Sequence, residues 1–135
     1  MTDKRKESYR ILEFIDDPNT AIITGLQIRL FPFVGKDERI THVTYAILLS
    51  GKKEIMQIAI QGMNINRSLA IVKSILSPSQ LKAMDKKGYF GEQRKAEIRQ
   101  RVLTSSYTEG AMEYAAQNWN FDRNDLKEYV IGLLV

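Results

Sequence analysis

Cysteine is absent from the 135-residue chain. That removes a disulfide framework, a cysteine-based zinc site and a thiol nucleophile together, and it favours a reducing intracellular setting, nuclear or cytoplasmic. Histidine occurs once, as His42. With no cysteine and no second histidine it offers no metal site and no catalytic triad, and its surroundings predict a helix-surface residue. No apolar run reaches the roughly 18–20 residues of a membrane helix, so no membrane partner is expected. The first residues, Met1 to Glu7, are basic with no apolar stretch behind them, which reads as a mobile tail and not as a signal peptide. Glycine is sparse where a phosphate loop would need it: Gly62-Met63-Asn64-Ile65-Asn66-Arg67 holds one. Acidic clusters are thin as well. Asp122, Asp125 and Glu128 suit a turn as well as a metal site, and nothing selects Asp37 with Glu54. Neither an enzyme nor a cofactor, metal or small-molecule substrate is expected.

What is present is an apolar fraction of 44%, enough for one ordinary core at this length. The net charge is +4, and the excess is uneven. Lys82, Lys86, Lys87, Arg94, Lys95, Arg99 and Arg101 face only Asp85, Glu92 and Glu97 over that stretch. A local excess of this kind suits a polyanion, and it equally suits a solvated basic face.

The hydrophobic pattern divides the chain. Tyr9 to Ile15 is a short strand or one helical turn, stopped by the turn cluster Asp16-Asp17-Pro18-Asn19-Thr20. Ala21 to Val34 reads as a long strand. Leu26, Ile28 and Leu30 line one face; Arg29, Phe31 and Phe33 line the other. An arginine between aromatics can stack on bases, and two phenylalanines can equally cover a helix or a dimer partner. Asp37 and Glu38 followed by Ile40, Val43 and Ile47 predict a helix ending at Ser50-Gly51. Ile55 to Gln61 alternates as a strand. Asn64 then caps a helix striped by Ile65, Leu69, Val72 and Leu76, which Ser77-Pro78 ends. A short helix spans Ser79 to Gly88. Glu92 to Ser105 has the composition of a helix, although Ile98 and Val102 also fit a strand face. One or two helical turns are expected around Glu109 to Gln117, a turn over Asp122 to Asp125 and a closing strand over Lys127 to Val135.

Cations cluster at the loops: Lys36 and Arg39 after the long strand, Lys52 and Lys53 before the next, and Arg67 in the first turn of the capped helix, where free N–H groups favour anions. Lys36, Arg39, Asn64 and Arg67 are expected at one end of the sheet, with Lys52 and Lys53 at the other.

These residues carry a resemblance. Phe33-Val34-Gly35-Lys36, Ile40-Thr41-His42-Val43-Thr44-Tyr45-Ala46 and Ile58-Ala59-Ile60-Gln61-Gly62-Met63-Asn64-Ile65-Asn66-Arg67-Ser68-Leu69 resemble the Alba superfamily of nucleic-acid-binding proteins. The Tyr45-Ala46 ending is similar to eukaryotic members, including ribonuclease P protein subunits. The resemblance implies an α/β (α+β) fold: a β-α-β-α-β-β two-layer sandwich with a mixed four-stranded sheet, two main helices and extra short helices. It implies an N-terminal extension over residues 1–20 and a domain over 21–135. It further implies an RNA- or DNA-binding dimer, homo- or heterodimeric, or an assembly subunit of a ribonucleoprotein or chromatin complex. Under it, Lys95 to Ser105 becomes a strand whose Arg99 and Arg101 reach along nucleic acid. Asp37 and Met63 stand where the family usually has positive charge.

Overall fold

A computed structural model of the chain describes residues 9–61 and 64–134. Four strands come first: β1 (Tyr9–Glu13), β2 (Gly25–Val34), β3 (Ile40–Ser50) and β4 (Lys53–Gln61). Five helices follow: α1 (Ile65–Ile75), α2 (Pro78–Lys86), α3 (Glu92–Thr104), α4 (Ser106–Trp119) and α5 (Arg123–Leu134). The strands form one sheet in the order β1-β4-β3-β2, with every neighbouring pair antiparallel. The α+β class stands. The mixed sheet with helices between its strands does not: the helices come after the sheet in sequence. β1 comes from the segment expected as an extension and joins the sheet through β4. The expected tail and the Gly62-Met63 turn lie outside the described residues.

Three expectations are corrected. The helix expected between Asp37 and Ser50 is strand β3, the centre of the sheet. Its apolar residues fall at helical spacing because the usual alternation is missing: His42 and Thr44, which point inward, are polar, whereas Val43 and Tyr45 on the opposite face are apolar. Its β-branched and aromatic content, Thr41, Val43, Thr44, Tyr45 and Ile47, suits a pleated surface. The loop before it is tight enough for a hairpin. Gly35 N–H donates to Arg39 O at 2.9 Å, Arg39 N–H donates to Asp37 Oδ1 at 3.2 Å, and Glu38 takes a left-handed φ of 63°. Asp37 therefore shapes a turn instead of starting a helix.

The strand implied for Lys95 to Ser105 is helix α3, as its Glu, Gln, Lys, Ala and Arg content favours. Ile98 and Val102, four residues apart, share its buried face, and Glu92–Lys95 and Arg94–Glu97 pairs brace the helix three residues apart. The closing strand is helix α5. Asp122 begins it by accepting from Asn124 N–H at 2.7 Å, and Leu126, Val130 and Leu134 bury at helical spacing while Ile131 stays exposed.

The core lies between one sheet face and the helices. Leu26, Ile28 and Leu30 of β2, Ala46 and Leu48 of β3, and Met56, Ile58 and Ile60 of β4 meet Leu69, Val72, Ile98, Val102, Met112, Leu126 and Val130. A bulge between β3 and β4 adds to this face. The register passes from Leu48↔Met56 to Leu49↔Glu54, so Ile55 has no partner and is buried together with Met56. His42 also points inward and is buried, not on a helix surface. Its Nδ1 lies 2.9 Å from the Tyr129 hydroxyl, which ties β3 to α5.

Two buried polar side chains fasten the loops. Ser77 and Gln80 form a capping box at the start of α2, and Gln80 Nε2 also donates to Pro18 O at 2.6 Å and Ala21 O at 3.0 Å. The Tyr89 hydroxyl donates to Thr24 O at 2.5 Å. The segment between β1 and β2 is thus held by groups more than fifty residues away, which fixes where β2 enters the sheet.

Candidate nucleic-acid interface

The cations read from the sequence fall into three places. Lys36 and Arg39 occupy the β2–β3 loop. β4 runs in the direction of β2 and ends opposite Val43, so the start of α1, with Asn64 and Arg67, lies at the same end of the sheet. Lys52 and Lys53 sit at the opposite end, at the β3–β4 turn, where Gly51 has a φ of 62°. Asn64 is engaged in its own helix, its Oδ1 accepting from Arg67 N–H at 2.9 Å. Arg39 is loosely paired with Asp37 at 4.0 Å.

Arg99 and Arg101 separate. Residues two apart on a helix diverge by about 200°. Arg99 Nε donates to Leu134 O, and its guanidinium closes the C-terminal end of α5. That end bears a partial negative charge, so the contact holds α3 to α5. Arg101 is exposed and turns toward β2, and among the described residues it has no ion-pair partner.

The sheet face away from the core carries a surface that the loops do not. Register places Arg29, Tyr45, Ala59 and Arg10 side by side across the four strands, with Gln27, Ile47, Gln57 and Leu12 in the next row. Phe31, Phe33 and Val43 lie on this face, half-buried and outside the core cluster. Ile47 is buried there, at the middle of the sheet. Arg29, Phe31, Val43, Tyr45 and Gln57 line an open concavity of about 370 Å³.

Tyr107, in the first turn of α4, extends this face beyond β2. α4 packs along the outer edge of that strand, and Thr108 Oγ1 donates to Leu30 O at 3.2 Å. Ser105 caps α4 by accepting from Tyr107 N–H at 3.1 Å, which fixes the residue at the rim. The Tyr107 ring meets Phe31 edge-on at 6.0 Å, and Phe31 meets Tyr45 edge-on at 5.5 Å. The Arg29 guanidinium lies over the Tyr107 ring, 4.6 Å from its centroid. The ring quadrupole attracts the cation and holds it flat.

A second groove, of about 150 Å³, joins this surface at Arg29 and Tyr107 and runs between β2 and α3 past Arg94, Ile98, Arg101 and Ser105. Arg94 is itself stacked over Tyr89 at 4.8 Å. Two carboxylates temper the charge: Glu54 pairs with Arg29 at 3.4 Å and Glu97 with Arg94 at 3.4 Å. Three arginines against two glutamates leave the strip mildly positive, with Arg101 supplying the unpaired charge. The strip therefore offers guanidinium donors along a groove and aromatic edges and faces beside it.

Arg29 and Phe31 are visible in the sequence as alternating neighbours of a strand. Tyr45 and Gln57 are not, because the strand carrying Tyr45 reads as a helix. Arg94 shows in the sequence only as one cation of the basic stretch, and the placement of Arg94 and Tyr107 beside β2 has no sequence signal, since the fold brings them there from more than sixty residues away. Among the described residues no group of His, Asp and Glu side chains could hold a metal ion, and no helix is long and apolar enough to cross a membrane. No protein-family model matches the chain, and neither a curated protein nor a solved structure does.

Proposed function

We propose that this chain binds single-stranded RNA or DNA on the open face of its sheet. The observation that carries the reading is the continuous strip from Arg94 and Arg101 through Arg29 to Tyr107, Phe31 and Tyr45. Single-stranded ligands are held by cationic grooves that follow the backbone and by aromatic rings on which bases stack, and every base has a face to stack. Arg101 and Arg94 take phosphates in the α3 groove, Tyr107 with Phe31 and Tyr45 takes bases, and Gln27 and Gln57 offer amides to base edges. Lys36, Arg39 and Arg67 at one end of the sheet and Lys52 and Lys53 at the other add longer-range attraction.

This reading keeps the ligand class that the Alba resemblance implies and moves the contact surface from the loops to the sheet. Binding of fluorescent 12-mers of RNA and DNA, against a duplex of the same length, tests it. Single strands are expected to bind more tightly than duplex, and Arg101→Ala is expected to weaken both single strands. Equal, weak binding of all three ligands refutes it.

A second reading has its own support. Phe31, Phe33 and Val43 are apolar, partly exposed and outside the core, which suits a protein partner laid on the same face, as in an assembly subunit of a ribonucleoprotein or chromatin complex. A partner that co-purifies in fixed proportion, and is lost on Phe33→Asp, favours this reading if the isolated chain binds no nucleic acid.

A further inference from the structure

The two outer edges of the sheet are treated differently. Along β2, α4 packs against the strand and Thr108 takes up the Leu30 carbonyl. Along β1 no described helix packs closely. Arg10, Ile11, Leu12 and Glu13 are all exposed, with Ile11 at 37% and Leu12 at 38% on opposite faces of the strand. Natural sheets protect such an edge with proline, bulges or inward charges, because its free N–H and C=O groups are a template for another strand. β1 has neither proline nor bulge, and its one charge on the core-side face, Glu13, stays exposed at the strand's end.

The direction of its main-chain groups can be assigned. Phe14 N–H donates to Ile55 O at 3.0 Å. Alternation along an antiparallel strand then turns Leu12 and Arg10 toward β4 as well, and turns Tyr9, Ile11 and Glu13 outward. The three outward residues are symmetric about Ile11, the middle residue of β1. We propose that the partner for this edge is β1 of a second copy of the chain, paired antiparallel with the two-fold axis at Ile11.

A two-fold axis normal to the sheet requires a residue to face its own copy, because paired residues must point to the same side. Centred on Ile11, the pairing sets Ile11 against Ile11, Arg10 against Leu12, and Tyr9 against Glu13 twice. Every outward N–H and C=O of β1 gains a partner. No like charges oppose each other, and the Tyr9 hydroxyl can donate to the Glu13 carboxylate across the strands. Because α4 covers the other edge, the association closes as a dimer and cannot extend into a fibre. The product is an eight-stranded sheet in which the two open faces lie on the same side, with Arg10 and Leu12 bridging them. The pairing does not depend on what that face binds.

The absence of cysteine gives a direct test. In a hydrogen-bonded antiparallel pair the two Cα atoms are about 5.5 Å apart, within the roughly 4.4–6.8 Å that a disulfide spans. Ile11→Cys is expected to oxidise rapidly to a covalent dimer in the full-length chain. Ile22→Cys, at a residue 74% exposed outside the strand, is expected to remain without a covalent cross-link at the same concentration. In sedimentation, Ile11→Lys and Ile11→Glu are each expected to be monomeric and to form a one-to-one dimer when mixed. Cross-linking of Ile11→Cys no faster than Ile22→Cys overturns the proposal. So does a wild-type chain that remains monomeric at several hundred micromolar, or a dimer that Ile11→Lys leaves intact.

Discussion

Tyr107 is where the stability and the proposed binding of the strip can be separated. Its ring touches Phe31 edge-on and lies under the Arg29 guanidinium, while 48% of the residue remains exposed. Tyr107→Ala removes an aromatic pair worth about 0.5–1.5 kcal/mol and a partly exposed cation–π contact worth about 0.5–1 kcal/mol. A loss of roughly 1–2 kcal/mol corresponds to a fall in Tm of about 4–8 °C for a chain of this size. If the ring also carries a base, its removal costs a further 1–3 kcal/mol of binding by the usual scale of base–aromatic stacking, or roughly 5- to 150-fold in Kd. Tyr107→Phe keeps the ring, so its Tm and Kd are both expected within about twofold-equivalent error of the parent. The assay is fluorescence anisotropy with a labelled single-stranded 12-mer, at a temperature where both variants are fully folded by circular dichroism. A folded Tyr107→Ala that binds like the parent refutes the base-stacking role. A Tyr107→Phe that loses as much as Tyr107→Ala would show that the hydroxyl, and not the ring, is responsible.

Arg99 and Arg101 are expected to behave oppositely. Arg99→Ala, which frees the Leu134 carbonyl, lowers Tm by the equivalent of about 1–3 kcal/mol with little effect on binding, whereas Arg101→Ala weakens binding and leaves the melt unchanged. Gln80→Ala removes the capping box and the bonds to Pro18 O and Ala21 O, so a loss of about 2–4 kcal/mol is expected in urea titration. Burial raises the Tyr129 hydroxyl above its ordinary value of 10.0, partly offset by a hydrogen bond with Thr41. A raised acid binds its proton more tightly when folded. Its contribution to stability is complete below pH 10.0 and is lost as the pH climbs through the folded-state value. Tyr129→Phe is therefore expected to have a shallower decline in stability above that pH, and an unchanged alkaline slope would contradict the assignment.

Much of the fold was legible where pattern and chemistry agreed. β2, β4 and α1 follow from alternation, the helical stripe, the Asn64 cap and the Ser77-Pro78 stop. β3 was not legible because its inward His42 and Thr44 are polar while its outward Val43, Tyr45 and Ile47 are apolar, which hides the period of two, and Ile40, Val43 and Ile47 happen to fall at helical spacing. α5 reads as a strand for the converse reason: Tyr129, Ile131 and Leu133 alternate although the buried set is Leu126, Val130 and Leu134. For α3, local composition pointed to helix and the resemblance pointed to strand; composition agrees with the structure. The grouping of Lys36, Arg39, Asn64 and Arg67 at one end of the sheet holds in an antiparallel sheet too, since alternate strands end on the same side. The strip itself was only half visible. Arg29 and Phe31 are strand neighbours, but the docking of α3 and α4 against β2 supplies Arg94, Arg101 and Tyr107, and that docking depends on long-range packing.

The most direct test of the central claim is the salt dependence of single-strand binding by the wild-type chain. Each phosphate contact contributes a slope of about −0.7 to log K against log salt for a single strand. Contacts from Arg94 and Arg101 therefore predict a slope of about −1.4, reduced by roughly one contact in Arg101→Ala. A slope near zero, or one that Arg101→Ala leaves unchanged, would contradict a nucleic-acid interface on this face.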